Sequence, residues 1–427
     1  MPADLNGEGP VLASPEAPNP PQISPVPRIS IQAFCESQEV AAVVQAAMSD
    51  RRMQKAHVKL HMGGAPAAVE AYRSAPTPNV IVLESAQDRA ALTANLDELA
   101  EFCDAGTKVI VCGKINDIVL YRHLILKGVS EYLVAPFSVL EFVQAISNLY
   151  NAPGASPVGR VIAVIGAKGG VGASTIAHNI AWSVANSLET STVIADMDLG
   201  FGTAGLDYNQ DPPQGMAEAV FSPDRVDANL VDRLLSKCAD NLSLLAAPAT
   251  LDRTYDFPET AFEAVIDILR ASTPCVILDV PHLWCGWTKR TLVAADDVVV
   301  VAAPDLASLR NAKNLLDNLR GARPNDRSPK LILNGVGVVK RPEIAVADFA
   351  KTMELEPTAV IPFDAKLFGA AANNGQMIAE IEANGKTAEI FADLARDLFG
   401  KIESRKAKRG LLEPLISALG RKKARAA

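Results

Sequence analysis

The sequence predicts an α/β protein built as two doubly wound units, a smaller one followed by a larger one. Three observations predict it. Short apolar runs recur along the chain with helical spacing between them, and such alternation implies parallel sheets covered by helices on both faces. At 427 residues the chain exceeds what one ordinary hydrophobic core requires, so two domains are expected. Finally, Asn, Pro, Gly and Ser cluster in NAPGASPVG (151–159), which reads as a linker between the two runs.

Taken in order, residues 1–27 are rich in proline and carry three acids and no base. They offer too little apolar surface to offset the entropy of ordering, so disorder is expected there. From 28 to 150, strands are expected around Ile29–Phe34, Val58–Met62, Val80–Leu83, Val109–Cys112 and Tyr132–Val134. The second unit, 160–400, opens on Val161–Ile165. It continues with Thr192–Ala195, Leu242–Leu245, Cys275–Leu278, Val298–Val301, Lys330–Leu333 and Ala359–Ile361. The final stretch, 401–427, holds nine Lys/Arg against two Glu, and Leu411, Leu412, Leu415, Ile416 and Leu419 share one helical face. An apolar stripe flanked by bases suits an anionic membrane surface; a solvated tail is the alternative.

Composition excludes several classes. The net charge of −8 argues against a surface that coats nucleic acid. No apolar run reaches the roughly 18 residues of a membrane span, and the N-terminal stretch lacks the basic and apolar regions of a secretion signal. The six cysteines form no C-x-x-C pair, which suits free thiols in a reducing cytoplasm, and the five histidines show no metal-ligand spacing.

The most informative stretch is GAKGGVGAST (166–175), set between an apolar strand and a helical pattern from about Ser174 to Asn186. A glycine-rich loop in that context turns several backbone N–H groups and a helix dipole toward an anion. Gly169, Gly170 and Gly172 permit close backbone approach, with Val171 between them. Ser174 sits where a loop hydroxyl would reach Mg²⁺, and Thr175 where a second would face the α-phosphate. An ordinary phosphate loop carries a lysine just before that hydroxyl. Here the slot holds Ala173, and Lys168 lies five residues earlier. The helix that follows should bury Ile176, Ile180, Trp182 and Val184.

Other residues fit the same chemistry. Asp279 ends a buried run, VILDVP (276–281), where coordination of Mg²⁺ through water would compensate an otherwise costly carboxylate; capping the next turn is the structural alternative. Asp196 or Asp198 could orient or deprotonate water, since phosphoryl transfer mainly needs positioning and charge neutralisation. Asn334 carries the donor and acceptor that match an adenine edge.

Two resemblances extend this reading. PNVIVLE (78–84) and EYLVAPF (131–137) make the first unit similar to response-regulator receiver domains, a flavodoxin-like fold. The resemblance places Glu84 at the phosphoacceptor position and Ala135 at the lysine position. Gly113 falls near the hydroxyl position, and Ala33, Phe34 and Cys35 replace the acid pair, with Glu36 the nearest acid. A receiver needs the acids for Mg²⁺ and the lysine for the acyl phosphate, so a pseudo-receiver that docks partners or dimerises without phosphorylation is expected.

The second unit resembles the ParA/MinD family of deviant Walker A ATPases, a P-loop NTPase fold. The loop above, VIADMDLGFGTAGLD (193–207), VILDVP, LILNGV (331–336) and AVIPFDAKLFGAAANNGQMI (359–378) follow the family's order. The resemblance implies ATP and Mg²⁺ as cofactors, with Ser174, Asp198 and Asp279 at the metal and Asp196 or Asp198 facing the attacking water. It further implies a homodimer in which Lys168 crosses to the partner's phosphates. A lysine on the β- and γ-phosphates is worth roughly 1.5–3 kcal/mol, so Ala173 predicts weak ATP binding by the monomer and slow hydrolysis.

A pseudo-receiver joined to such an ATPase resembles the CpaE/TadZ localisation proteins of Flp/tad (type IVc) pilus assembly. That likeness implies a cytoplasmic protein, peripheral to the inner membrane and often polar. Its implied partners are the pilus assembly ATPase and inner-membrane secretion components. The rivals are a partitioning or cell-division positioning ATPase and a non-hydrolysing scaffold.

Overall fold

The computed structural model describes residues 23–104, 106–151, 158–251 and 253–399. The expected basic amphipathic tail, most of the N-terminal proline-rich stretch and the middle of the linker lie outside them. The chain divides into two compact units, one of residues 1–47 and 55–150, the other of 48–54 and 151–427.

The first unit is a five-stranded parallel sheet. Its strands are β1 (Ser30–Cys35), β2 (His57–Met62), β3 (Val80–Glu84), β4 (Lys108–Gly113) and β5 (Glu131–Val134). They run in the order β2-β1-β3-β4-β5, a receiver-like, flavodoxin-like topology. Every residue of β3 is buried, as a central strand with helices on both faces requires. The proline-rich lead-in departs from expectation at its end. Ile23 and Val26 are buried, and the Ser24 carbonyl accepts from the Ser147 hydroxyl at 2.8 Å. Two apolar side chains three residues apart suffice to hold that short piece, whatever its proline content.

The second unit is an eight-stranded sheet. Its strands are β6 (Arg160–Gly166), β7 (Thr192–Asp196), β8 (Ser236–Ala239), β9 (Leu242–Leu245), β10 (Cys275–Val280), β11 (Asp297–Ala302), β12 (Lys330–Val336) and β13 (Ala359–Pro362). The order is β13-β12-β11-β6-β10-β7-β9-β8, parallel except for the edge pair β8–β9. Side chains of β6 alternate between two cores: Val161, Ala163 and Ile165 enter one, Ile162 and Val164 the other. Each such burial is worth about 1.5–3 kcal/mol for the larger residues. The sheet reversal between β6, β10 and β11 places the loops after these strands at one crevice, where open α/β sheets bind ligands. Gly159 fixes the entry to β6: a side chain there would meet the Thr273 carbonyl at 1.8 Å.

Helix Ala173–Ser187 packs across β6, β7 and β10, burying Ile176, Ile180 and Val184 as expected. Trp182 departs from the expected face and is only half-buried. The face is filled instead by Ala177, Ala181 and Ala185, with His178 buried among them. Among the described residues, no helix is long and apolar enough to cross a membrane.

Candidate nucleotide-binding site

The loop Ala167–Gly172 joins β6 to helix Ala173–Ser187. Gly170 and Gly172 hold φ of +77° and +83°, which side-chain-bearing residues rarely adopt. Val171 is buried and anchors the loop from within. The first helical bond runs from Ile176 N–H to the Gly172 carbonyl at 3.0 Å. The N–H groups of Ala173, Ser174 and Thr175 therefore lack intrahelical acceptors and stand at the positive end of the helix dipole. Open space surrounds Gly169 and Gly170, where an anion can approach the backbone. Such a loop can cradle an anion such as a phosphate.

Two side chains pin the loop entry. Nδ1 of His282 lies 2.9 Å from the Gly166 carbonyl oxygen, and Asn311 Nδ2 donates to the Ala167 carbonyl at 2.9 Å. Asn334 reaches the loop from β12 and donates to the Val171 carbonyl at 2.8 Å. Its amide thus already braces the loop; a side chain at Gly172 would press on it at 2.6 Å.

Lys168 does not point into the cradle. Its Nζ pairs with Asp305 Oδ2 at 2.6 Å, while Asp305 Oδ1 caps helix Leu306–Ala322 through Ser308 N–H at 2.8 Å. Burial alone would raise the Asp305 carboxyl, but Lys168 and Ser308 hold it below the usual carboxylate range. Both side chains are 36% exposed, so the pair is worth only about 0.2–1 kcal/mol. A phosphate can compete for that lysine.

The acids divide by environment. Asp196 and Asp279 sit in register on adjacent strands β7 and β10, both buried. Asp196 accepts from the backbone N–H of Asp198 and of Ala204, each at 3.1 Å, and so folds the loop between them. Gly202 is required under it, since a side chain there would meet Asp196 Oδ2 at 2.3 Å. Burial, then the neighbouring Asp279, push the Asp196 carboxyl up to about 7. Asp198 is half-buried and accepts from Phe201 N–H at 3.0 Å. His178, fully buried, places Nδ1 2.7 Å from Asp207 Oδ2 and Nε2 3.3 Å from Asp279 Oδ2. Burial alone would lower its pKa, but the two carboxylates outweigh it and push it up to about 10.

In the first unit, Glu84 stands at the end of β3 and is buried. Its Oε2 accepts from Glu36 N–H at 2.8 Å and Ser37 N–H at 2.9 Å; its Oε1 accepts from the Ser37 hydroxyl at 2.6 Å. Glu36 in turn accepts from Ala86 N–H at 2.8 Å. The two glutamates clasp the loops after β1 and β3 to each other.

The sequence profile of the AAA domain family matches residues 159–330. The septum site-determining protein MinD of Helicobacter pylori is 25% identical over 268 residues, covering 60% of this chain and 97% of that protein. A solved pilus assembly protein CpaE from Caulobacter crescentus CB15 is 45% identical, covering 30% of this chain and 97% of that one, with a TM-score of 0.29. The chain is thus similar to MinD over more than half of its length and to CpaE over about a third of it. MinD from Pyrococcus horikoshii, solved with Mg-ADP, shares the fold at a TM-score of 0.51 and 20% identity, covering 58% of this chain and 99% of that one.

Within this P-loop NTPase fold, the sheet order places the three loop glycines, Ser174, Thr175, Asp196, Asp198, Asp279 and Asn334 at or just after the carboxyl ends of β6, β7, β10 and β12, while Lys168 turns onto Asp305. Four residues that contact the loop or its acids escaped the sequence reading: His178, His282, Asp305 and Asn311. Two of them carried a signal. His178 is a polar residue on an otherwise apolar helix face, and Asp305 stands where Ala-Pro-Asp ends an apolar run and opens a helix.

Proposed function

We propose that this protein is an ATP-binding localisation or assembly factor of the Flp/tad (type IVc) pilus system, acting as a dimer that ATP favours. It would position the secretion machinery at the cytoplasmic face of the inner membrane. The pilus assignment draws its support from the sequence identity to CpaE, over a share of the chain about the size of the first unit. The dimer reading rests on a single observation. The cradle is intact, yet the lysine slot of its own subunit is Ala173 and Lys168 is parked on Asp305 by a weak, half-exposed pair.

In this reading the backbone N–H groups of the loop hold the phosphates, and Ser174 and Asp279 hold Mg²⁺, Asp279 through water. Mg²⁺ neutralises phosphate charge when bound. Asp198 is the better-placed residue to orient water, because Asp196 is engaged with backbone. Lys168 leaves Asp305 for the phosphates of the opposing subunit. Hydrolysis is slow, since no lysine serves the subunit's own phosphates. The first unit acts as a pseudo-receiver that docks a partner, supported by the solvent-facing apolar residues Ile118 and Leu126, 65% and 87% exposed.

Calorimetric titration with ATP and Mg²⁺ tests the charge argument. Restoring the lysine by Ala173→Lys should tighten binding roughly tenfold to hundredfold. Equal affinity of the two proteins would show that the loop does not hold phosphates as described. Ala173 also supports a second reading, a scaffold that binds nucleotide without hydrolysing it; phosphate release over hours separates the two.

A further inference from the structure

Four buried side-chain polar atoms lack a hydrogen-bond partner among the described residues, and one of them, Nε2 of His178, lies 3.3 Å from Asp279 Oδ2. Native proteins keep such atoms rarely, because each costs about 1–3 kcal/mol. A purely structural ring would be apolar or fully satisfied here.

The ring is fixed in place. Nδ1 is held by Asp207 at 2.7 Å, and the Tyr208 hydroxyl donates to the His178 carbonyl at 2.7 Å. The Tyr208 ring packs beside it, centroids 5.5 Å apart. Nε2 therefore stays aimed at Asp279, whose Oδ2 is 3.3 Å away but out of hydrogen-bond alignment. Ser174 and His178 are four residues apart on helix Ala173–Ser187 and so share its face. On the other side, Asp207 ends the short helix Ala204–Asp207, which closes the loop carrying Asp198.

We propose that His178 is the positioning residue of Asp279. Its Nε2, now beside the Asp279 carboxylate without an aligned hydrogen bond, takes up that carboxylate when it turns toward metal and phosphate, and Asp207 ties this orientation to the 197–203 loop. The inference rests on the Mg²⁺–nucleotide reading above. A partner behind a metal-ligating group typically controls metal affinity by 10- to 100-fold.

The test is a Mg²⁺ titration of the full chain at a fixed concentration of a fluorescent, non-hydrolysable ATP analogue. His178→Val should raise the Mg²⁺ needed for half-saturation 10- to 100-fold while leaving metal-free analogue binding within about threefold. His178→Gln, which keeps a donor, should recover most of that loss. Asp207→Asn, remote from the phosphates, should shift the Mg²⁺ requirement in the same direction as Val. If Val does not fold, the Gln and Asn variants decide alone. Wild-type Mg²⁺ dependence in Asp207→Asn and His178→Val, or a parallel loss of metal-free binding, would overturn the proposal. A wild type that binds no analogue at any Mg²⁺ concentration would instead overturn the nucleotide reading, and this inference with it.

Discussion

Glu84 and Asp279 occupy the same architectural place in their two units, a carboxylate at the carboxyl end of a fully buried strand. Their surroundings differ. Glu84 accepts two backbone N–H bonds and a hydroxyl, so its charge is spent on holding two loops together. Asp279 has an imperfectly aligned imidazole beside it and an acid, Asp196, in register. In one unit the carboxylate is a fastening; in the other it is an acid with few bonds beside a glycine-rich loop. Stability and function should separate along that line.

The second unit also contains fastened acids, and the largest effect is expected there. Asp326 takes Arg51 Nε at 2.8 Å and Arg52 Nη2 at 2.5 Å; both arginines are buried and the Asp326 side chain is 7% exposed. Arg51→Ala leaves that carboxylate under-compensated and should cost about 3–5 kcal/mol, read as a lowered urea midpoint of the second unit's transition. The pH dependence follows. Burial would raise the Asp326 carboxyl, but the arginines hold it below the usual range. Its contribution is thus complete above the unfolded value near 3.9 and is lost as pH falls through the lower folded value. The wild-type advantage over Arg51→Ala should shrink at pH 3; a constant gap would deny the ion pair its role.

Next in size is Glu84→Ala, which strands two backbone donors and should cost about 2–4 kcal/mol in the first unit. Incubation of the wild type with a small phosphodonor should leave its intact mass unchanged. A stable phosphoryl adduct would erase the contrast between the two acids. The smallest stability change belongs to Asp279→Asn, expected within about 1 kcal/mol of wild type, since it relieves a buried charge with few bonds to lose. Calorimetry should nevertheless show Mg²⁺-dependent nucleotide binding much reduced. A large loss of stability with binding intact would make Asp279 a fastening like Glu84.

Most of the fold was legible because buried parallel strands are near-continuous apolar runs, as in VIVLE and CVILDV. The exception was β8, SKCA, a four-residue edge strand with no alternation; its only signal was the Asp240-Asn241 turn that leads into β9. The loop and its acids were legible because glycine spacing and strand ends are local. Lys168 on Asp305 and His178 between Asp207 and Asp279 were not, since each pairs residues that only the sheet order brings together. Asn334 was read for an adenine edge, and its brace on Val171 depends on β12 lying across from the loop.

The central claim is that Lys168 supplies across a dimer the charge that Ala173 does not supply within a subunit. Sedimentation velocity with and without ATP and Mg²⁺ tests it most directly. The wild type should shift toward dimer with ATP, Lys168→Ala should stay monomeric, and Asp305→Ala, which frees the lysine, should dimerise at lower ATP. An assembly state indifferent to nucleotide and unchanged in all three proteins would contradict the account.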